Sequence, residues 1–368
     1  MKGQISTAVR RLMKKSPTLS SRAERGICFC LSSSVGWLLA VVVILCYLVG
    51  IVPYLAITQD QSGVEDAPQQ APLTGVTSST QNPLQVALLH WYDANLTTTF
   101  RVGSSPRGVT FDGVNIWVVN NGSNGVTKLR ASDGAVLGTF GVGSQPVRVA
   151  FDGANIWVTN SADNTVTKLR ASDGRVLGTF GVGTHPVGVA FDGANIWVTN
   201  EYGNTVTKLR ATDGAALGTF AVGGSRADAF DGANIWVPNE NGNTVTKLRA
   251  SDGAVLGIFP VGSVPFAVAF DGANIWVGNS GSNDVTELRA SDGAVLGTFR
   301  VEIGPFGVAF DGVNIWVTNE FSNNVSKLRA RDGKVLGSFE VGADPRGVAF
   351  DGAHIWVASN NTNAVSKL

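Results

Sequence analysis

Seven tryptophans, Trp117, Trp157, Trp197, Trp236, Trp276, Trp316 and Trp356, recur at spacings of 40, 40, 39, 40, 40 and 40, each inside a version of FDGANIWVTN. A period near 40 made of short apolar runs restricts the chain to a repeat architecture. Each copy reads as four strands, which in the second copy are residues 147–151, 155–158, 166–169 and 176–182. Asp152-Gly153 and Ser172-Asp173-Gly174 supply the hairpin turns, because Gly takes positive φ without steric cost and Asp bonds its own backbone. Four antiparallel strands per 40 residues is the pattern of a propeller blade. The seventh copy reaches Leu368 after its third strand, and Thr99-Phe100-Arg101-Val102-Gly103 matches Thr139-Phe140-Gly141-Val142-Gly143. The expectation is an all-β, seven-bladed β-propeller over residues 95–368, closed by an N-terminal strand laid on the last blade, an arrangement that covers exposed edges.

Composition excludes several classes. A hydrophobic share of 44% with 15% charged residues rules out disorder as the general state. Lys+Arg and Asp+Glu are 28 each, so nucleic acid is not an expected partner. Cys28, Cys30 and Cys46 all lie in the first 50 residues, which leaves the repeats without a disulfide framework or a cysteine-bound zinc. GxSxG, HExxH and a phosphate-cradling glycine loop are absent from the sequence.

Ahead of the repeats, residues 26–58 carry no charged side chain, and the stretch 36–57 is almost wholly apolar. As a helix, 36–57 would span roughly 33 Å at 1.5 Å per residue, enough for a bilayer core of about 30 Å. Lys2, Arg10, Arg11, Lys14, Lys15, Arg22 and Arg25 precede it, against the single acid Glu24, while Asp60, Glu65 and Asp66 follow. The positive-inside rule then predicts a cytoplasmic tail (1–25) and one transmembrane signal-anchor helix (26–58), with the rest outside the cytoplasmic membrane. The apolar run is too long for a cleaved signal peptide, and Tyr54-Leu55-Ala56 lacks a small residue at the first cleavage-site position. Residues 59–94, rich in Gln, Ser, Thr and Pro, read as a flexible stalk, interrupted by the apolar 84–91 as a short cap or staple.

Within the repeats, the recurring aromatics are assigned to packing between blades and the Asp of FDG to its hairpin rather than to calcium. The recurring Lys-Leu-Arg (Lys128 and Arg130 onward) is assigned to solvated strand edges, since residues 101–368 hold 21 basic and 23 acidic side chains. A single site must come from positions that differ between blades. After the proline entering each blade, or its equivalent in blade four, stand Arg107, Val147, Val187, Arg226, Phe266, Phe306 and Arg346, expected to ring the mouth of the channel. The loops after the second strands vary through Glu201 with Tyr202, Glu240, and Glu320 with Phe321. Blade four departs most: it has lost one residue and its proline, and Asp228 stands where other blades carry Val109, Val149 or Val189. A carboxylate in a valine slot must find a donor such as Arg226 or be costly, so either the blade is locally distorted or this is a polar site.

The segment 186–220, PVGVAFDGANIWVTNEYGNTVTKLRATDGAALGTF, resembles bacterial propellers of the YVTN class, with kinship to the streptogramin (virginiamycin B) lyase group. The resemblance covers about residues 96–368. It implies the fold, while repeats of this kind serve in exported binding proteins, sensors and enzymes alike. For the lyases it implies a metal-assisted elimination using His and Glu at the propeller mouth. Here the propeller has only His185, in a loop between blades, and His354, which replaces Asn115 and Asn155 in the first hairpin turn on the opposite face. The paired histidines are therefore not expected. The reading is a membrane-anchored, extracytoplasmic binding or interaction module without a cofactor, its ligand site formed by Arg107, Arg226, Phe266, Phe306 and Arg346 with Asp228 and Tyr202. Its partner would be an extracytoplasmic protein or a small anionic or aromatic ligand. The alternative is a lyase or lactonase using a divalent metal such as Mg²⁺ with His185, Glu201, Glu240 or Glu320, and a third reading is a structural cell-surface protein.

Overall fold

A computed structural model describes residues 98–224 and 226–368. They form seven four-stranded antiparallel sheets whose inner strands contact one another in a closed ring. Blade 1 runs outward through Pro106–Phe111, Asn115–Asn120, Gly125–Arg130 and Val136–Gly141, and blades 2, 3, 5 and 6 repeat that plan. Blade 7 takes Pro345–Phe350, Ile355–Ser359 and Ala364–Lys367 from one end of the chain and its outer strand, Thr98–Arg101, from the other. The closing register pairs Thr99 with Ser366 and Phe100 with Val365, so the fold is the all-β propeller anticipated from the repeats. Blade 4 is the irregular one. Without its proline and one residue, its inner strand shrinks to Ala229–Phe230, against Pro265–Phe270 in blade 5.

The core lies in the seams between blades. In the first, Trp117, Val119 and Val126 of blade 1 pack on Val149, Ile156, Val158 and Leu169 of blade 2, and the Trp117 and Phe140 rings lie 5.5 Å apart. The last seam closes the ring, joining Trp356 and Val365 to Ile116, Val118 and Leu129, with Phe100 of the closing strand against them. A buried indole needs a partner for its N–H. Trp117 Nε1 donates to Asp112 Oδ2 at 2.7 Å, while Oδ1 accepts the backbone N–H groups of Val114 and Asn115. Gly113, at φ 94°, makes the turn that allows this. The same indole-to-carboxylate bond recurs in the other six blades. Thus the Asp of FDG holds its hairpin, as expected, and also anchors the core tryptophan four residues beyond the Gly.

The assignment of Lys-Leu-Arg to solvated edges holds for the arginines and fails for the lysines. Arg130 pairs with Asp133 at 2.8 Å on the surface, and the pattern repeats in blades 2 to 6. Lys128, by contrast, is 7% exposed. Its ammonium lies 5.0 Å from the Trp117 ring centroid and donates to the carbonyls of Ala171 and Ser172 in the next blade at 2.7 and 3.2 Å. Burying this charge is tolerable because carbonyl dipoles and the ring face compensate it.

The cytoplasmic tail, transmembrane helix and stalk expected over 1–94 lie outside the described residues. Among the described residues no helix is long and apolar enough to cross a membrane.

Candidate functional site

At one end of the channel, the loops that enter the inner strands meet the loops that join second to third strands. In five blades the residue before the inner strand turns into the left-handed region: Ser105, Gln145, His185, Val264 and Asp344 have φ between 50° and 58°. That conformation is disfavoured for residues with a Cβ. It is held here by an asparagine of the preceding blade, whose side-chain oxygen accepts the backbone N–H of His185 (Asn164, 2.9 Å) or Asp344 (Asn323, 3.0 Å). Because the bend recurs round the ring it is architecture; the side chains it presents are what differ.

Arg107, Val147, Val187, Arg226, Phe266, Phe306 and Arg346 line one cavity of about 180 Å³ at this mouth, together with Arg148, His185 and Glu320. A second cavity of about 140 Å³ along the channel is lined by Arg148, Asp228 and the small residues of the inner strands. Inner strands come very close here: a Cβ on Gly347 would lie 2.1 Å from the Arg107 carbonyl oxygen. Arg148 is the one large side chain in a slot filled elsewhere by Gly108, Gly188, Ala227, Ala267, Gly307 and Gly347. Comparing only the positions after each proline misses it; comparing the next position would have found it.

The four arginines divide into two pairs. Arg226 is neutralised by Glu201, 3.0 Å from its Nη2, and by Glu240, to which Nε donates, and its guanidinium lies 4.6 Å over the Phe266 ring. Arg346 donates to Glu320 at 2.8 Å and to Asp344 at 2.8 and 3.1 Å, and lies 5.0 Å over Phe306, which packs on Phe266 at 5.1 Å. Arg107 and Arg148 have no carboxylate at ion-pair distance among the described residues, and Arg107 Nε is buried without a hydrogen-bond partner there. Burial and the neighbouring Arg346 lower the Arg107 pKa, against the pull of Asp344 and Glu320. Burial and Arg107 push Arg148 down to about 10, opposed by Asp228, so Arg148 stays cationic at neutral pH.

Arg226 is not the donor for Asp228, and of the two outcomes expected for a carboxylate in this slot the costly one is found. Arg226 is occupied by glutamates, and Arg148 is the guanidinium whose charge reaches Asp228. Both carboxylate oxygens of Asp228 are buried without a hydrogen bond of good geometry among the described residues. Burial raises its pKa well above the ordinary value, only partly offset by Arg148 and the Ala190 N–H.

The set proposed for a divalent metal does not converge. His185 Nδ1 lies 3.0 Å from Glu201 Oε2, a close contact without hydrogen-bond alignment, and its ring stacks on Tyr202 at 4.1 Å. Arg226 stands against both Glu201 and Glu240, and Glu320 faces Arg346. No three His, Cys, Asp or Glu side chains come together to hold an ion among the described residues. These donors do not fit the metal that the lyase resemblance implies. Tyr202 is 66% exposed and reaches the mouth only through His185, and His354 sits beside Asp351 in the far hairpin turn.

No protein-family model matches the chain, and no curated protein matches it in sequence. Solved structures match its fold. A streptogramin B lyase superposes with a TM-score of 0.64 at 18% identity, over 74% of this chain and 96% of that one. Virginiamycin B lyase from Staphylococcus aureus gives 0.64 at 18% identity over 74% and 98%. Hydrazine synthase from Kuenenia stuttgartiensis gives 0.65 at 19% identity over 73% and 97%. At such identities the likeness establishes the propeller fold, shared by proteins whose names describe unrelated chemistry.

Proposed function

We propose that the propeller is a ligand-binding module whose channel mouth takes a small molecule carrying a carboxylate or phosphate on an aromatic or apolar body. One observation carries this reading: of four arginines at the mouth, two are paired with carboxylates, while Arg107 and Arg148 line the cavities with no carboxylate at ion-pair distance among the described residues, Asp228 acting on Arg148 only at longer range. A buried guanidinium without a counterion is costly, and an incoming anion offers it short, charge-assisted, bidentate hydrogen bonds. Phe266 and Phe306 offer an apolar wall beside those charges. A volume of about 180 Å³ is below that of a typical drug-sized pocket, so the head group enters and the remainder stays in the mouth.

The apolar stretch 36–57, flanked by basic residues on its N-terminal side, supports a single membrane span that places the propeller outside the cytoplasmic membrane. Labelling of an introduced cysteine near residue 100 by a membrane-impermeant reagent in intact cells tests that placement; labelling only after lysis rejects it.

For the ligand, the full chain is melted with phenyl phosphate, benzoate or, as a cationic control, choline. A ligand at a hundred times its dissociation constant adds about 2.7 kcal/mol. The expected result is a higher Tm with either anion and none with choline. Equal shifts with all three compounds, or none with the anions, would reject the reading.

A further inference from the structure

At the rim of the mouth, blade 6 departs from its sisters at three positions that fit one another. Ile303 stands where blades 1, 2, 3, 5 and 7 carry Ser, Thr or Ala, and Gly304 where the same five carry a residue with a side chain. Phe321 stands where Tyr202 is the one other aromatic residue among the blades. The backbone beneath is ordinary. Ile303 N–H donates to Ser322 Oγ at 2.9 Å, its carbonyl accepts the Phe321 N–H at 3.2 Å, and the Gly304 carbonyl accepts the Glu320 N–H at 2.8 Å. Blade 1 ties Ser104 to Ser123 and Gly122 in the same way. What is new is the packing: a Cβ on Gly304 would lie 2.6 Å from Phe321 Cδ2, so the ring lies where a sister blade has a side chain. Ile303 and Phe321 nevertheless stay 56% and 67% exposed.

The platform borders the arginine cavity, which is lined by Glu320, the neighbour of Phe321, and by Phe306, on the strand that Gly304 leads into. Inside, the aromatic rings are already engaged. Arg226 lies 4.6 Å over Phe266, and Arg346 and Arg148 lie 5.0 and 5.5 Å over Phe306. The apolar surface still open to a long guest is therefore on the rim, at Ile303 and Phe321. Adjoining exposed apolar side chains mark a contact surface, and here the nearest unpaired charges are cationic. We infer that the ligand of the mouth is a single-chain amphiphile, its carboxylate or phosphate head on Arg107 and Arg148 and its alkyl chain laid over Ile303 and Phe321. This rests on the anion reading of the mouth and adds the chain. An alkyl chain suits the place because it bends from a cavity of about 180 Å³ onto a surface outside it.

Calorimetry on the full chain in nanodiscs, with empty discs as the blank, compares acetate, butyrate, hexanoate and octanoate with octyl phosphate and octyltrimethylammonium. The series is repeated with Ile303→Ser and Phe321→Asn, which install what Ser263 and Asn361 are in sister blades and are expected to fold. Affinity should rise about two- to fourfold for each methylene beyond butyrate. Octyl phosphate should bind and octyltrimethylammonium should not, and both variants should lose the rise. Affinity that stays flat along the series, rises as steeply in the variants, or is matched by octyltrimethylammonium would overturn the inference. A flat series in which butyrate still binds leaves the anion reading standing, whereas no binding by any anion removes both.

Discussion

The seams between blades and the channel they enclose treat buried charge in opposite ways. At a seam, Asp152 accepts two backbone N–H groups, the Asn155 amide and the Trp157 indole. Burial alone would raise its pKa, but these bonds outweigh burial and hold the carboxyl below the ordinary range, as they do for Asp112, Asp192, Asp231, Asp311 and Asp351. In the channel, Asp228 has both oxygens buried without a hydrogen bond of good geometry among the described residues, and its pKa rises. A polar group is cheap to bury where the fold supplies all its partners and expensive where it does not. Repetition perfects the first kind of environment, and the second appears where blades 1, 2 and 4 depart from the repeat. On the proposed reading, those shortfalls mark the place where a ligand has something to contribute.

The largest expected effect lies at a seam. Trp157→Ala should cost ~3–5 kcal/mol in denaturant unfolding, since the side chain is fully buried. An unchanged midpoint would mean the blades are held by something other than these tryptophans. Next, Lys208→Met should cost about 1–3 kcal/mol by leaving the Ala250 and Ser251 carbonyls without their ammonium.

The aspartates give a signed comparison. A depressed folded pKa stabilises the protein fully above the unfolded value, about 3.9, and that contribution is lost as pH falls through the folded value. Asp152→Asn should therefore lower Tm at neutral pH by an amount that shrinks in acid. A raised pKa acts in reverse, penalising the folded state as pH climbs above the unfolded value. Asp228→Asn should raise Tm at neutral pH, by less than the seam variants lower it, and the gain should vanish below about pH 3.9. Melting curves of both variants across that range check it; the same sign for both would erase the distinction between seam and channel. The smallest effect is expected for Tyr202→Ala, within about 0.5 kcal/mol, as the ring is largely exposed.

The strand plan was legible because FDGANIW and the Asp-Gly turns report local backbone geometry within one copy. The weak inner strand of blade 4 was legible too, since losing a proline and a residue is a local event. Pairings across a seam were not. Lys128 meets Ala171 at a separation of 43 residues, and Lys-Leu-Arg beside an Asp has the same appearance on a solvated edge. The mouth was half legible. Position after the proline or its equivalent identified the ring residues, but whether a given arginine is paired depends on loops from other blades: Glu320 reaches Arg346 from 26 residues away, whereas among the described residues no loop brings an acid to ion-pair distance of Arg107. The metal set failed for the same reason, because composition names the glutamates while only the fold shows the guanidiniums beside them.

On the proposed reading, Arg107 and Arg148 await an anion. Calorimetric titration of phenyl phosphate into the full chain and into Arg148→Gly tests it most directly, because glycine is what this slot holds in Gly108 and Gly188 and should leave the blade intact. Loss of a charge-assisted hydrogen bond, about 1.5–3 kcal/mol, predicts affinity at least tenfold weaker in the variant. Equal affinity in the two proteins, or no binding by the wild type, would contradict it.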